Sequence, residues 1–389
     1  MTDGILSGVR VADFSRVLAG PYATMMLADF GADVVKIESP AGDDTRAWRP
    51  PVDDAGESTY FGAVNRNKRS VVCDLAAPEG LAAARSLAES ADVLVENFRP
   101  GVMERFGLDE QSLRAANPGL IYCSITGFGR EAGAALPGYD LLVQAVGGLM
   151  SITGPADGEP SKVGVALVDV LTGQSALAGI LLALRERDRT GRGSRVDVDL
   201  LGSLLAALTN QASSTLATGR SPARLGNAHP SIAPYESFRA ADRELVVAVG
   251  NDRQFAAFAA ALGLPGLSAD PRFATNEERV RNRHELRALL EPALARRDAA
   301  DWVADLGAAR VPSGLVNSVA EAFAFAASLG LDLVTTTVDQ ATGRTSRQPA
   351  TPIHLDTAPA AHRTPPPLLG EHDPAWADAV AARPERTAP

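Results

Sequence analysis

The chain has 389 residues, 46% of them apolar and 22% charged, with a formal net charge of −10. That length exceeds what one hydrophobic core usually supports, so two domains are expected, and the composition excludes global disorder. The acidic balance argues against a general nucleic-acid role, which needs concentrated Lys and Arg, but allows a local basic pocket for one phosphorylated ligand.

The N-terminal stretch MTDGILSGVRVADFSR has no basic start followed by a long apolar run, so no secretory signal is read there. Residues 9–14 read as a short buried strand, and 21–30 as a helix opened by Pro21 and closed by Gly31. Strands follow at 33–38 and 70–75, a helix at 78–90, and strands at 93–96 and 120–126. Strands separated by helices predict a parallel, Rossmann-like α/β sheet with helices on both faces. Ligands bind such sheets beyond the carboxyl ends of the strands, so the loops after Phe14, Glu38, Leu75, Glu96 and Thr126 are where chemistry should collect. The two cysteines, Cys73 and Cys123, lie in strand-like runs without metal-ligand spacing. They read as buried thiols of a reducing compartment, and a cytoplasmic location is expected.

A long apolar helix is expected over 164–187; Asp169, Thr172, Gln174 and Ser175 interrupt it, so it reads as a buried helix before a membrane span. A strand at 194–200 and a helix over 201–218 follow. From 219 the text turns to GRSPARLGNAHPSIAPYESF, a linker rich in Pro, Gly and Ser. A strand at 244–250 and helices at 252–262, 276–295, 299–308 and near 318–328 suggest a smaller α+β domain.

No G-x-G-x-x-G follows the first strand, and neither a P-loop nor a G-x-S-x-G elbow is present. The five histidines, His229, His284, His354, His362 and His372, are scattered without ligand spacing, and no metal is expected. Chemistry is therefore left to carboxylates, amides and backbone groups. Asp169 is the candidate. It follows the apolar run VGVALV, where a strand is expected to hand over to the long helix. A lone Asp at such a junction is most often an N-cap. The same place suits a nucleophile, because the positive end of a helix favours the ionised form and a partly desolvated carboxylate can add to a thioester carbonyl. Spacing alone leaves both readings open.

The segments DFSRVLAGPYATMMLADFGADVVKIESP, FGAVNRNKRSVVCDL, ADVLVENFRPGVMERFGL, NPGLIYCSITGFG, PGYDLLVQAVGGLMSITG, VDVLTG, TGRGSRVDVDL and PLLGEH, in this order from residue 8 to about 372, together resemble the family III CoA-transferases (the CaiB/BaiF family). The resemblance implies a large CoA-binding domain over 1–218, a linker and small α+β domain over 219–330, and a C-terminal segment, 331–389, returning to the large domain. It also implies an interlocked, ring-like homodimer. The aspartate of VDVLTG, here Asp169, is implied as the nucleophile. It would form a mixed anhydride with the acyl group of a donor acyl-CoA, and the acceptor acid would then react through an aspartyl-CoA thioester.

CoA is thus implied as co-substrate. By the same resemblance its contacts fall on Leu18 and Ala19 after the first strand, on Cys73 and Asp74 at the end of the third, and on Asn97, Phe98 and Arg99 in ENFRPG. Arg105 would pair with a phosphate, and Gly138, Tyr139 and Asp140 in PGYD would face the thioester. Ser39 stands where the formyl-CoA type has an adenosine-contacting Arg, a departure at that position. His229 lies in a segment that the family places near the acceptor pocket, where it would hold the acceptor carboxylate. The formyl-CoA type also closes a glycine run over its site; none occurs here, which argues against oxalate or formate. The flavour of PGYDLLVQAVGGLMSITG points to succinyl-CoA or a similar donor. Two alternatives stand beside CoA transfer. An α-methylacyl-CoA racemase shares the fold and the aspartate but needs a His in the PGYD slot as a second acid/base, and here Tyr139 precedes Asp140. The third reading is a non-catalytic acyl-CoA-binding protein.

Overall fold

The computed structural model describes residues 4–372. These fall into two compact units: 4–147, 163–217 and 330–372 form the larger, and 148–162 with 218–329 the smaller. The expected divisions near 219 and 331 lie beside the observed ones, but residues 148–162, expected in the large domain, group with the smaller unit. The last expected segment, 331–389, lies within the described residues only as far as 372.

The larger unit is built on six parallel strands: β1 (Arg10–Asp13), β2 (Asp33–Glu38), β3 (Lys68–Val72), β4 (Val93–Glu96), β5 (Ile121–Thr126) and β6 (Arg195–Asp199). Their order is β3-β2-β1-β4-β5-β6, the doubly wound arrangement in which the winding reverses between β1 and β4. The central strands are apolar runs buried on both faces, as a sheet covered on each side by helices requires. Leu87, Leu94, Leu113 and Tyr122 are among the side chains packed beneath one face.

Four helices position the site. They are α1 (Ala19–Asp29), α2 (Pro78–Ser90), α3 (Asp140–Val146) and α4 (Leu167–Thr190). Pro78 opens α2 at the position where a missing N–H does least harm. In α4, Val168, Thr172, Ala176, Ile180 and Leu184 recur at four-residue steps and form its buried face. α4 is long and apolar enough to cross a membrane by length and composition, but this buried stripe makes it a core helix of the unit. It lies against α1 so closely that a Cβ on Gly173 would sit 2.6 Å from the Ala19 carbonyl oxygen. Gly191, at φ +69°, ends it in the left-handed conformation.

The smaller unit carries an antiparallel sheet of Tyr235–Arg239, Glu244–Ala248 and Ser313–Leu315. Its core includes Phe238, Phe255, Phe258, Leu290 and Trp302. Two expected helices are interrupted. The one over 276–295 divides at Asn282, whose side chain donates to the Arg272 carbonyl at 3.0 Å. The one over 201–218 divides into Leu200–Ala207 and Thr209–Thr218, with Thr209 at φ +40°.

Candidate active site

Beyond the carboxyl ends of β1, β4 and β5, at the reversal of the winding, lies a cavity of ≈ 460 Å³. Each wall comes from a strand-to-helix loop. The loop after β1 brings Arg16, Leu18 and Ala19; the loop after β4 brings Asn97, Phe98 and Arg99; the loop after β5 and the start of α3 bring Gly138, Tyr139 and Asp140. Asp169 completes it from the first turn of α4.

Two glycines allow the third wall to form. A Cβ on Gly138 would meet the Cα of Gly127 at 2.6 Å, and one on Gly127 would meet Gly138 at 2.4 Å. Backbone therefore lies directly on backbone, and Tyr139 is set at the mouth by this contact, its ring largely exposed.

Asp169 is not the N-cap of its helix. That position falls on Ala166, and no strand precedes it: residues 153–166 are irregular. The capping work is done from α3. The Oδ1 of Asp140 accepts the Val168 N–H at 2.8 Å and the Asp169 N–H at 3.3 Å. Gln144, fully buried, donates to the other Asp140 oxygen at 2.6 Å and accepts the Val163 N–H at 2.9 Å. The carboxylate of Asp169 itself has no hydrogen-bond partner among the described residues. Burial, and then the charge of Asp140, push it up to about 7. The amides expected to favour its ionised form serve Asp140 instead, and burial acts in the opposite sense.

Asn97 spends its side chain on the protein. Its Oδ1 accepts the Arg16 N–H and its Nδ2 donates to the Arg16 carbonyl, each at 2.8 Å. Arg99 is exposed and has no ion-pair partner among the described residues, which leaves it open to an anion. Four expected contacts lie outside the cavity. Ser39 is exposed beyond β2. Cys73 is buried, its thiol pushed up by burial, and the Asp74 carboxylate closes a turn by accepting the Ala76 N–H at 2.9 Å. The Arg105 guanidinium stands 5.9 Å from the Phe106 ring centroid. Their strands or loops do lie on or near the same carboxyl edge. His229 belongs to the smaller unit, where its Nδ1 accepts the Ser231 N–H at 3.1 Å and its carbonyl takes Arg283 at 3.1 Å.

Sequence reasoning missed Asp44 and Trp48, which line the cavity, and Tyr60, whose ring meets Trp48 edge-on at 4.9 Å. The Tyr60 hydroxyl is pushed up by burial and then by the charges of Asp169 and Asp140. These residues sit in the Pro-rich stretch after β2, which carries no periodicity to mark it. Arg16, also missed, stacks on Phe98 at 5.4 Å and pairs with Asp44 at 3.3 Å. Among the described residues no cluster of His, Cys, Asp and Glu is arranged to hold a metal ion.

A model of CoA-transferase family III matches residues 6–373. The chain belongs to that family. This CoA-transferase is 44% identical to the succinate–glutarate CoA-transferase of Agrobacterium fabrum, over 94% of this chain and 93% of that one. It is also 44% identical to the acetyl-CoA:oxalate CoA-transferase of Acetobacter aceti, over 82% of each chain. A solved structure of a CaiB/BaiF family protein from Brucella suis, 42% identical, superposes with a TM-score of 0.87 over 97% of this chain and the whole of the other. The chain is a transferase that handles CoA thioesters and carboxylic acids.

Proposed function

We propose that this CoA-transferase moves CoA from succinyl-CoA to a small dicarboxylic acid, with Asp169 as the nucleophile. The Asp169 carboxylate adds to the thioester carbonyl and expels CoA thiolate, leaving a succinyl–aspartyl anhydride. The thiolate attacks the aspartyl carbonyl, releasing succinate and forming an aspartyl-CoA thioester. The acceptor carboxylate displaces CoA again to give a second anhydride. CoA thiolate then attacks the acceptor's acyl carbon, which yields the new thioester and restores the carboxylate.

One observation carries this reading: Asp169 is a half-buried carboxylate without a hydrogen-bond partner among the described residues, held in a cavity ringed by the loops that follow β1, β2, β4 and β5. An unsatisfied carboxylate in such a place is poorly solvated and correspondingly basic, which suits addition to a carbonyl. The adjoining α1 begins with no side-chain cap, so the N–H groups of Ala19 and Gly20 offer donors for the developing oxyanion. Arg99 and Arg16 supply positive charge for the CoA phosphates along the same edge. The name of the Agrobacterium relative favours succinate and glutarate as the pair.

The racemase reading lacks its second proton carrier, since Tyr139 occupies the slot before Asp140. A homodimer of interlocked subunits is part of this proposal. Leu182, 72% exposed on α4, and Leu216, 87% exposed on Thr209–Thr218, are apolar faces that a second copy would cover. The two free, buried cysteines accord with a cytoplasmic setting.

The test is chemical trapping. Protein turning over succinyl-CoA is treated with hydroxylamine, and the adduct is located by peptide mass; a hydroxamate at Asp169 is expected. Asp169→Ala should bind CoA yet exchange nothing. An unmodified Asp169, or full turnover by the Ala variant, would refute the assignment.

A further inference from the structure

Beneath the cavity, β1, β2, β3 and the loop after β2 enclose a cluster of charges that takes no direct part in the exchange. Lys36, Asp13 and Lys68 are fully buried or nearly so, and Asp43 is 2% exposed. The Lys36 ammonium pairs with Asp43 at 2.9 Å and donates to the Ser15 carbonyl at 2.8 Å. Asp43 also accepts the Val17 N–H at 3.2 Å and the Thr45 N–H at 3.0 Å. Asp13 accepts the Ser15 N–H at 3.0 Å and is itself paired with Lys68 at 3.0 Å. From the other side, Asn97 holds both backbone groups of Arg16. The backbone of Ser15, Arg16 and Val17 is therefore gripped, residue by residue, by side chains from three separate strand ends.

What these contacts hold is a strained turn. Val17 has φ +69°, a left-handed conformation that a β-branched residue disfavours and that persists only where the surroundings enforce it. The next two residues, Leu18 and Ala19, line the cavity and begin α1. A buried ion pair is weak evidence for stability, since desolvation offsets much of its attraction. One that is joined to a strained backbone beside a reaction cavity has another use.

We propose that the buried Lys36–Asp43 pair is a positioning element for CoA transfer, holding Val17 left-handed at the end of the Ser15–Val17 turn so that Leu18 and Ala19 keep their place against the cavity. The inference rests on this cavity being the reaction site, and Asp169→Ala is run alongside to test that separately.

The experiment is a double-mutant cycle between Asp43→Asn and Val17→Gly, with kcat and KM for succinyl-CoA measured for each variant. Asn is nearly isosteric but neutral: it offers the ammonium no charge, and its one oxygen can replace Oδ2, which serves the ammonium and the Val17 N–H, only by turning an NH2 group toward the Thr45 N–H. The turn is then free to relax, and kcat should fall roughly ten- to a hundred-fold, the scale of a small misplacement near reacting atoms, with KM changed far less. Glycine adopts positive φ without strain, so in the Asp43→Asn background Val17→Gly should recover at least about half of that loss on a logarithmic scale, relative to its own effect in the wild type. Lys36→Met should resemble Asp43→Asn. If Asp43→Asn does not fold, Lys36→Met, which removes the other half of the pair, replaces it in the cycle. An unchanged kcat, or a loss to which Val17→Gly adds with no recovery, overturns the proposal. Full activity of Asp169→Ala would instead discard the cavity as the site.

Discussion

Replacing Asp140 by Asn tests whether the reactivity of Asp169 is set by its neighbour. Asp169 is raised to about 7 by burial first and by the Asp140 charge second. Removing the second cause leaves the larger first one, so the carboxyl should fall below about 7 but stay above its ordinary value of 3.8. The change also disturbs the cap. The oxygen of the new amide can still accept the Val168 and Asp169 N–H groups, but its NH2 group then faces Gln144 Nε2, a second donor, across 2.6 Å. Gln144 cannot turn over without surrendering the Val163 N–H at 2.9 Å, so a stability loss of about 1 kcal/mol accompanies the shift. The assay is kcat/KM for succinyl-CoA and glutarate from about pH 5 to about pH 9, which reports the free enzyme. Wild type should gain activity through an acid limb near 7, and Asp140→Asn should show that limb at lower pH, still above 3.8. A limb that does not move, or a wild-type limb near 4, would refute the reasoning.

Asp169→Asn should inactivate the enzyme yet stabilise it at neutral pH. The carboxyl is raised on folding, so its protonated form favours the fold, and its contribution declines as pH climbs from 3.8 toward about 7. At 1.36 kcal/mol per unit the gap corresponds to about 4 kcal/mol, and solvent contact at this half-buried site reduces that to about 2 kcal/mol. Urea unfolding at pH 8 should show that gain, and at pH 4 the two proteins should match. Gly173→Ala forces a methyl to within 2.6 Å of the Ala19 carbonyl, so α1 and α4 must part; a loss of about 1–3 kcal/mol in urea and a lower kcat are expected. Arg99→Ala should raise KM for the acyl-CoA about tenfold at low salt with kcat nearly unchanged. The difference should narrow as salt is added.

The chain's apolar periodicities already contain the alternation of strands and helices, because a parallel strand buried on both faces must be a short apolar run and its covering helix must carry an apolar stripe. The rule that ligands gather past the carboxyl ends of such strands led to the loops after Phe14, Glu38, Glu96 and Thr126, which do form the cavity, and to the loop after Leu75, which does not. The resemblance singled out Asp169, where residue type alone favoured an N-cap. What local sequence could not convey is how distant backbone groups share their partners. Asp140 caps a helix whose first residues lie 28 positions away, and this separates Asp169 from the role its own position suggested. Gly138 matters through Gly127, and Asn97 through Arg16, because a close approach or a hydrogen bond across the cavity is decided by which loops the sheet order brings side by side. For the same reason Trp48 and Tyr60, in a stretch with no periodic signal, reach the site only once β2 has been placed next to β1. Sequence thus determined the elements and the edge at which the cavity forms. Tertiary structure decided which polar groups are left unsatisfied there, since satisfaction depends on every neighbour at once and not on spacing along the chain.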